Sequence, residues 1–141
     1  MPAKAKHRVI IDTNLWISFL LNSDFSGVDS LIAGNFVTLL FSEELIAEFV
    51  EVAQRPRFRK YFLISDIQEV LIKVRTKAEL VSVTSIIDIF LDPKDNFVLA
   101  LAQDGNASHL LTGDKDLLVL KKFGSTSILT WAEYLSKQAF L

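Results

Sequence analysis

Val9-Ile10-Ile11-Asp12-Thr13-Asn14 is the stretch of the chain that decides its fold. Its first three residues are β-branched with no polar residue between them, which is typical of a strand buried on both faces. Asp12 ends this strand, and Thr13 and Asn14 offer capping oxygens to a helix directly behind it. The stretch therefore predicts a central parallel strand that passes straight into a helix.

Strand and helix patterns alternate along the rest of the chain. Apolar runs predict strands at residues 36–41, 80–83, 109–112 and 128–130. Helical spacing or capping residues predict helices at 29–33, behind Ser42, at 66–76, behind Asp92 and from Trp131 onward. This order predicts an α/β fold, a three-layer α/β/α sandwich around a central, mainly parallel sheet of four to five strands.

The composition is that of a folded globular protein. Hydrophobic residues make up 50% of the 141 residues and charged residues 23%, and a chain of this length can fill the core of one domain. Neither an internal repeat nor a linker interrupts the sequence. We therefore expect residues 1–141 to form a single domain, with residues 1–7 as a flexible leader.

Charge and residue content exclude several classes of protein. A net charge of −2 is far from that of a protein that coats nucleic acid, so any nucleic-acid contact must be local. The absence of cysteine excludes disulfides and thiolate chemistry, and the five dispersed glycines form no phosphate-binding loop. The first apolar run breaks at Asp12, too early for a membrane span, so we expect a cytoplasmic protein without membrane contact.

Four acidic residues lie where a predicted strand meets a helix, or on the first turns of such a helix: Asp12, Glu48, Asp95 and Asp114. Each can be explained alone as a cap, a turn residue or part of a solvated helix face. In an open parallel sheet, however, the carboxyl ends of the strands share one edge, so these side chains are expected to converge. Because crowded carboxylates repel unless they are protonated or bind a cation, the sequence predicts a divalent-metal site.

Helix geometry separates Glu48 from its acidic neighbours. Glu48 lies at the margin of the apolar stripe of its helix and can face inward, whereas Glu51 points away, with Glu44 as the second choice. Further along, Asp92 precedes Pro93 as the expected cap of the next helix. The sequence thus favours Glu48 for the site and a capping role for Asp92.

Taken together, these motifs resemble those of the PIN domain nucleases, and in particular the short VapC-like toxins of toxin–antitoxin pairs. The likeness runs from about Arg8 to the C-terminal helix. The motifs that carry it are Val9-Ile10-Ile11-Asp12-Thr13-Asn14, Glu48, Asp92-Pro93-Lys94-Asp95-Asn96 and Thr112-Gly113-Asp114.

The resemblance implies a ribonuclease that depends on Mg²⁺ or Mn²⁺ and uses a metal-activated water. The implied catalytic and metal-binding acids are Asp12, Glu48, Asp95 and Asp114, and Asp116 is a further metal-binding candidate. Asn14 and Thr112 match positions that orient the carboxylates or water, and Asp92 stands beside them. The resemblance also implies an RNA substrate, a cognate antitoxin protein and a homodimer.

Basic residues follow the Glu48 helix directly. Arg55, Arg57, Arg59 and Lys60 form the densest basic stretch, and Lys115 stands next to Asp114. These side chains are candidate phosphate contacts, which position RNA without reading its sequence. A loop that merely balances the charge of the molecule explains the stretch equally well.

Two other functions stay open on the sequence. One is a domain that keeps this fold without catalysis and binds nucleic acid or protein. The other is a phosphoryl-transfer enzyme with Asp12 as covalent nucleophile. The sequence disfavours that second function, because Asn14 stands where a haloacid dehalogenase-like phosphatase would carry a second Asp.

Overall fold

A computed structural model of the chain describes residues 6–138. The strands are β1 (His7–Ile11), β2 (Val37–Phe41), β3 (Glu79–Leu80), β4 (His109–Leu111), β5 (Lys122–Phe123) and β6 (Thr126–Leu129). The helices are α1 (Thr13–Asn22), α2 (Ser26–Ala33), α3 (Glu43–Ala53), α4 (Ile64–Lys77), α5 (Pro93–Asp104), α6 (Lys115–Leu120) and α7 (Trp131–Gln138), with a 3₁₀ turn at Pro56–Phe58.

The strands form one sheet in the order β3-β2-β1-β4-β6-β5. β1 lies between β2 and β4 and is parallel to both, and only β5 runs antiparallel to its neighbour β6. The predicted α/β/α fold with a mainly parallel sheet is confirmed. The sheet has six strands rather than four or five, because the two-residue strands β3 and β5 extend its edges.

The apolar run that opens the chain explains why β1 is central. Val9, Ile10 and Ile11 are at most 1% exposed, as expected for a strand covered by helices on both faces. Polar residues then stop the strands and start the helices. Ser42, for example, is fully buried and its side chain accepts the Leu45 amide at 3.0 Å, which caps α3 as predicted.

The structure shifts the predicted boundaries of the leader and of one edge strand. His7 is the first residue of β1 and bonds Tyr134 through its ring at 2.8 Å, so the predicted flexible leader does not extend to it. The rest of that leader, residues 1–5, and the apolar tail at 139–141 lie outside the described residues. The strand predicted at 80–83 is reduced to Glu79–Leu80, which lie opposite the last two residues of β2; the Val81 amide makes the final hydrogen bond, to the Phe41 carbonyl.

Between residues 6 and 138, no helix is long and apolar enough to cross a bilayer.

Candidate active site

The candidate site lies where the strand order of the sheet reverses. β1 and β4 are parallel neighbours with Ile11 opposite Leu111, and the Asp12 amide donates to the Leu111 carbonyl at 3.0 Å. On either side of this pair the chain proceeds outward in opposite directions, to β2 and to β6. In open α/β sheets a crevice forms at the carboxyl ends of such strands. Asp12 and Asp114 follow those two ends.

The Thr112 hydroxyl connects the two acids. Thr112 is fully buried, and its hydroxyl donates to Asp12 Oδ2 at 2.8 Å while accepting the Asp114 amide at 3.0 Å. The other Asp12 oxygen, Oδ1, accepts the Thr13 amide at 2.8 Å. Burial raises the pKa of Asp12 above its ordinary value, and these hydrogen bonds to the carboxylate partly offset that rise.

Asp95, Asp114 and Asp116 form the tightest group of acids. Each offers a carboxylate oxygen, and these oxygens lie within 4.8 Å of one another. Asp114 is the N-cap of α6 and accepts the Asp116 amide at 2.8 Å, whereas Asp95 sits in the first turn of α5. Helix starts on neighbouring elements thus bring the three side chains together.

Asp95 is the most strongly perturbed of these acids. Its side chain is buried, with 6% of its surface exposed. Burial is the largest cause that raises its pKa, to about 7, followed by the nearby charge of Asp114 and a hydrogen bond between the two carboxyls. A bound cation would offset the repulsion between these two crowded carboxylates.

Glu48 faces the group from α3. Its side chain is 24% exposed, and Oε2 accepts the Thr13 hydroxyl at 3.3 Å. Its other oxygen, Oε1, lies 3.6 Å from the Lys94 ammonium on α5. The inward orientation predicted for Glu48 is therefore observed, and its charge is one of those that raise the pKa of Asp12.

The cap of α1 differs from the prediction. Asp12 itself is the N-cap, so Thr13 and Asn14 are the first two helical residues and cannot cap the helix. Asn14 is exposed, and no hydrogen bond among residues 6–138 joins it to the candidate acids. Thr13, which is buried, contacts Glu48 instead. Thr13 therefore makes the contact with a candidate acid that was expected of Asn14. No pattern in the sequence indicates that a threonine at a strand end makes such a contact.

Asp92 occupies the capping position expected of it. It is the N-cap of α5 and its side chain accepts the Lys94 amide at 2.9 Å. Its charge also contributes to the raised pKa of Asp95. Asp92 thus acts on the site through the start of α5.

The predicted RNA-contacting residues lie beyond the acids. Arg55 pairs with Glu51 at 3.0 Å, and the basic stretch continues through the 3₁₀ turn behind α3. Arg55 follows Gln54, the C-cap of α3, and so lies beyond the C-terminal end of the helix that carries Glu48. Arg57 and Lys60 lie over neighbouring aromatic rings, at 4.8 and 5.3 Å from the ring centres of Phe58 and Tyr61. Lys115, by contrast, directly follows Asp114 at the start of α6.

Comparison with known proteins places the chain in a family. Residues 8–116 match the model of the PIN domain, so the chain belongs to the PIN domain family. It is also similar to the uncharacterized protein MJ1680 of Methanocaldococcus jannaschii. The two are 28% identical over 127 residues, which cover 84% of this chain and 77% of the archaeal protein.

The donor set fits a hard divalent cation. Asp95, Asp114 and Asp116 offer neighbouring carboxylate oxygens, and these are the ligands preferred by Mg²⁺ and Mn²⁺. Asp95, Asp114 and Asp116 are close enough to share one ion, and Asp12 adjoins them through Thr112. The nuclease-type PIN fold and this acidic group are consistent with each other.

Proposed function

We propose that this protein is a metal-dependent endoribonuclease that hydrolyses RNA phosphodiester bonds with a metal-activated water. The observation that carries the proposal is the convergence of Asp12, Asp95 and Asp114 at the switch point of the sheet. Asp12 and Asp114 also cap helices, but capping alone does not require their carboxylates to gather around Asp95. A shared cation explains this gathering.

The acids have different tasks in this proposal. Asp95, Asp114 and Asp116 hold Mg²⁺ or Mn²⁺, and Asp12 and Glu48 complete the ligand set directly or through water. When bound, the ion supplies the activation of the attacking water and neutralises charge on the phosphate. Thr112 and Thr13 keep Asp12 and Glu48 in their rotamers, and Asp92 fixes the start of α5.

The contacts of Asp12 fix its carboxylate in one orientation. Each of its oxygens accepts one hydrogen bond, from Thr13 and from Thr112, and keeps a second lone pair for a cation. The other acids lie beside it, so Asp12 is assigned to the metal rather than to a covalent intermediate.

RNA reaches this site through local basic contacts. Lys115 adjoins the acids, and Arg55, Arg57, Arg59 and Lys60 form a more distant group that can hold phosphates further along the strand. The net charge of −2 makes this a short track rather than an extended basic face.

The likeness of the motifs to those of short PIN-domain toxins supports a cellular role. We propose that the chain is a single nuclease domain acting in the cytoplasm as a homodimer. In this role it is the toxin of a toxin–antitoxin pair, and the antitoxin protein is its inhibitory partner. Coexpression with the protein encoded beside it, followed by copurification and a cleavage assay, tests this role separately from the chemistry.

A metal-titrated cleavage assay on a mixed RNA pool tests the chemistry. Wild type should cleave in Mg²⁺ or Mn²⁺ and stop in EDTA, and Asp95→Asn and Asp114→Asn should each lower the rate by about 100-fold or more. Asp29→Asn is the matched control, because Asp29 pairs with Lys73 on another part of the molecule. Undiminished cleavage in EDTA would sink the proposed function.

Two other outcomes separate the alternatives. RNA binding without cleavage in any metal would favour a catalytically silent PIN-fold binding module. A phosphoenzyme lost in Asp12→Asn would instead favour the covalent reaction.

A further inference from the structure

Lys94 places a positive charge beside the acidic group. It lies in the first turn of α5 between Asp92 and Asp95, and its ammonium is 3.6 Å from Glu48 Oε1. Of the salt bridges found from residue 6 to residue 138, this is the one that involves a candidate site acid. The sequence alone gives no reason to single out Lys94, which stands within the Asp92 to Asn96 motif.

The backbone of Lys94 is fixed while its ammonium is loosely held. Its amide donates to the Asp92 side chain at 2.9 Å, which ties the residue to the helix start. The ammonium is too far from Glu48 for a good hydrogen bond, and the Lys94 side chain is 55% exposed. Exposed pairs of this kind contribute little to stability, so the ammonium can leave Glu48 easily.

Charge balance supplies a reason for such a movement. A phosphodiester brings a further negative charge to a site that already holds Asp12, Glu48, Asp95 and Asp114. One divalent ion cannot offset all of these charges. The Lys94 ammonium, at the end of a flexible four-carbon side chain at the rim of the site, can move to the phosphate.

We infer that Lys94 is a substrate-binding residue whose ammonium moves from Glu48 to the RNA phosphate next to the acidic group. Without metal and RNA, the ammonium lies beside Glu48. The inference rests on the proposed function and names one of the groups that recognises its substrate.

Removing the charge of Lys94 has two effects of opposite sign. The ammonium competes with a divalent ion for Glu48, so its loss should strengthen metal binding in the absence of RNA. The same loss removes a phosphate contact, so it should weaken RNA binding and lower its salt dependence. A lysine that only paired with Glu48 would raise metal affinity in the same way when removed, but RNA affinity and its salt dependence would not change.

The test compares Lys94→Met with Lys94→Arg and with Lys73→Met. Arginine keeps the charge, and Lys73 is a matched control because it pairs with Asp29 away from the site. Mn²⁺ affinity is measured by calorimetry without RNA. Affinity for a labelled single-stranded RNA is measured by fluorescence anisotropy in Ca²⁺ at several salt concentrations, with a gel to show that the RNA stays intact.

For Lys94→Met we expect Mn²⁺ affinity to rise by about 2- to 5-fold, the range of an exposed ion pair. RNA affinity should fall by about 3- to 10-fold, and the negative slope of log affinity against log salt should become shallower by about 0.7, which corresponds to one single-strand phosphate contact. Lys94→Arg and Lys73→Met should match wild type in RNA affinity and salt slope.

The outcomes distinguish this inference from the proposed function. If wild type binds Mn²⁺ and RNA but Lys94→Met equals it in RNA affinity and salt slope, the Lys94 inference is wrong and the nuclease proposal stands. If wild type binds neither Mn²⁺ nor RNA, the nuclease proposal fails first, and the role of Lys94 fails with it.

Discussion

The Thr112 hydroxyl donates a 2.8 Å hydrogen bond to Asp12 Oδ2 and thereby joins the ends of two neighbouring strands, β4 and β1. The same hydroxyl accepts the amide of Asp114. One buried side chain thus sets the position of an acid a hundred residues away and of the acid two residues ahead. The hydroxyl therefore couples the positions of two candidate metal ligands.

Thr112→Val should raise the pKa of Asp12 further, because it removes a hydrogen bond that favours the carboxylate. Mn²⁺ affinity should fall most below neutral pH, and the free energy of unfolding should fall by about 1 to 3 kcal/mol as the buried partners lose their bond. Calorimetric titrations at pH 6 and pH 8, with urea unfolding, measure both effects. Thr112→Ser keeps the hydroxyl and should behave like wild type; equal losses in both variants would count against the hydrogen bond.

Metal binding should weaken with acid because of Asp95. Its pKa of about 7 means that the ion must displace a proton below that pH, so Mn²⁺ affinity should fall by up to about tenfold per pH unit. In Asp95→Asn the affinity should be lower but its dependence on pH between 5 and 7 flatter. A wild-type affinity that is constant over this range would contradict the raised pKa.

The same acid affects stability without metal. The folded-state pKa of Asp95 lies above the ordinary value of 3.8, so the folded protein binds the extra proton. Its contribution to stability is therefore fully present below about pH 4 and is lost as the pH rises through 7. Urea unfolding of the EDTA-treated protein should show this loss in wild type and not in Asp95→Asn.

The opposite end of β1 should make the protein sensitive to acid. His7 and His109 lie with ring centres 4.3 Å apart against Tyr134. Burial lowers the pKa of both, that of His109 to about 4, with further contributions there from the charges of His7 and Lys137. Because the unfolded chain binds these protons more readily, their contribution to stability falls as the pH drops from 6.5 toward 4.

His109→Phe tests this acid sensitivity. Phenylalanine keeps the ring contacts but cannot bind a proton. The free energy of unfolding should therefore fall less between pH 7.5 and pH 5 than it does in wild type. An equal loss in both proteins, measured by urea unfolding followed by circular dichroism, would assign the sensitivity to other groups.

Gly27 should tolerate no side chain where α2 meets α7. A Cβ there would lie 2.7 Å from Trp131 Cζ2, so Gly27→Ala must push the indole aside and should cost about 1 to 3 kcal/mol. Gly34 is the matched control, since its backbone is helical and its nearest neighbours are 3.7 Å away. Gly34→Ala should be neutral or stabilise by up to about 1 kcal/mol, and thermal unfolding of the two variants compares them directly.

The sequence predicted the layers of the fold because buried strands and capped helices have strong local signals. Residues 9–11 and Ser42 are examples. It missed β5 at Lys122–Phe123, since a two-residue strand exists only through its pairing with β6 around Gly124. The short edge strand β3 was placed too late for the same reason.

The candidate site was partly predictable for similar reasons. The acids could be named from their places at strand ends, and Glu48 from its helix face. The contact of Thr13 with Glu48 and the pairing of Lys94 with Glu48 depend on how α1, α3 and α5 lie next to one another. No local pattern encodes such a long-range relation.

Asp114 starts α6 and Asp95 lies on the first turn of α5, so an ion shared between them would fasten two helix beginnings at once. Helix ends normally open and close faster than the body of a fold. Amide hydrogen exchange in these first turns should therefore slow when Mg²⁺ is added. The ion would then stabilise two helix starts at the edge of the sheet in addition to its part in the chemistry.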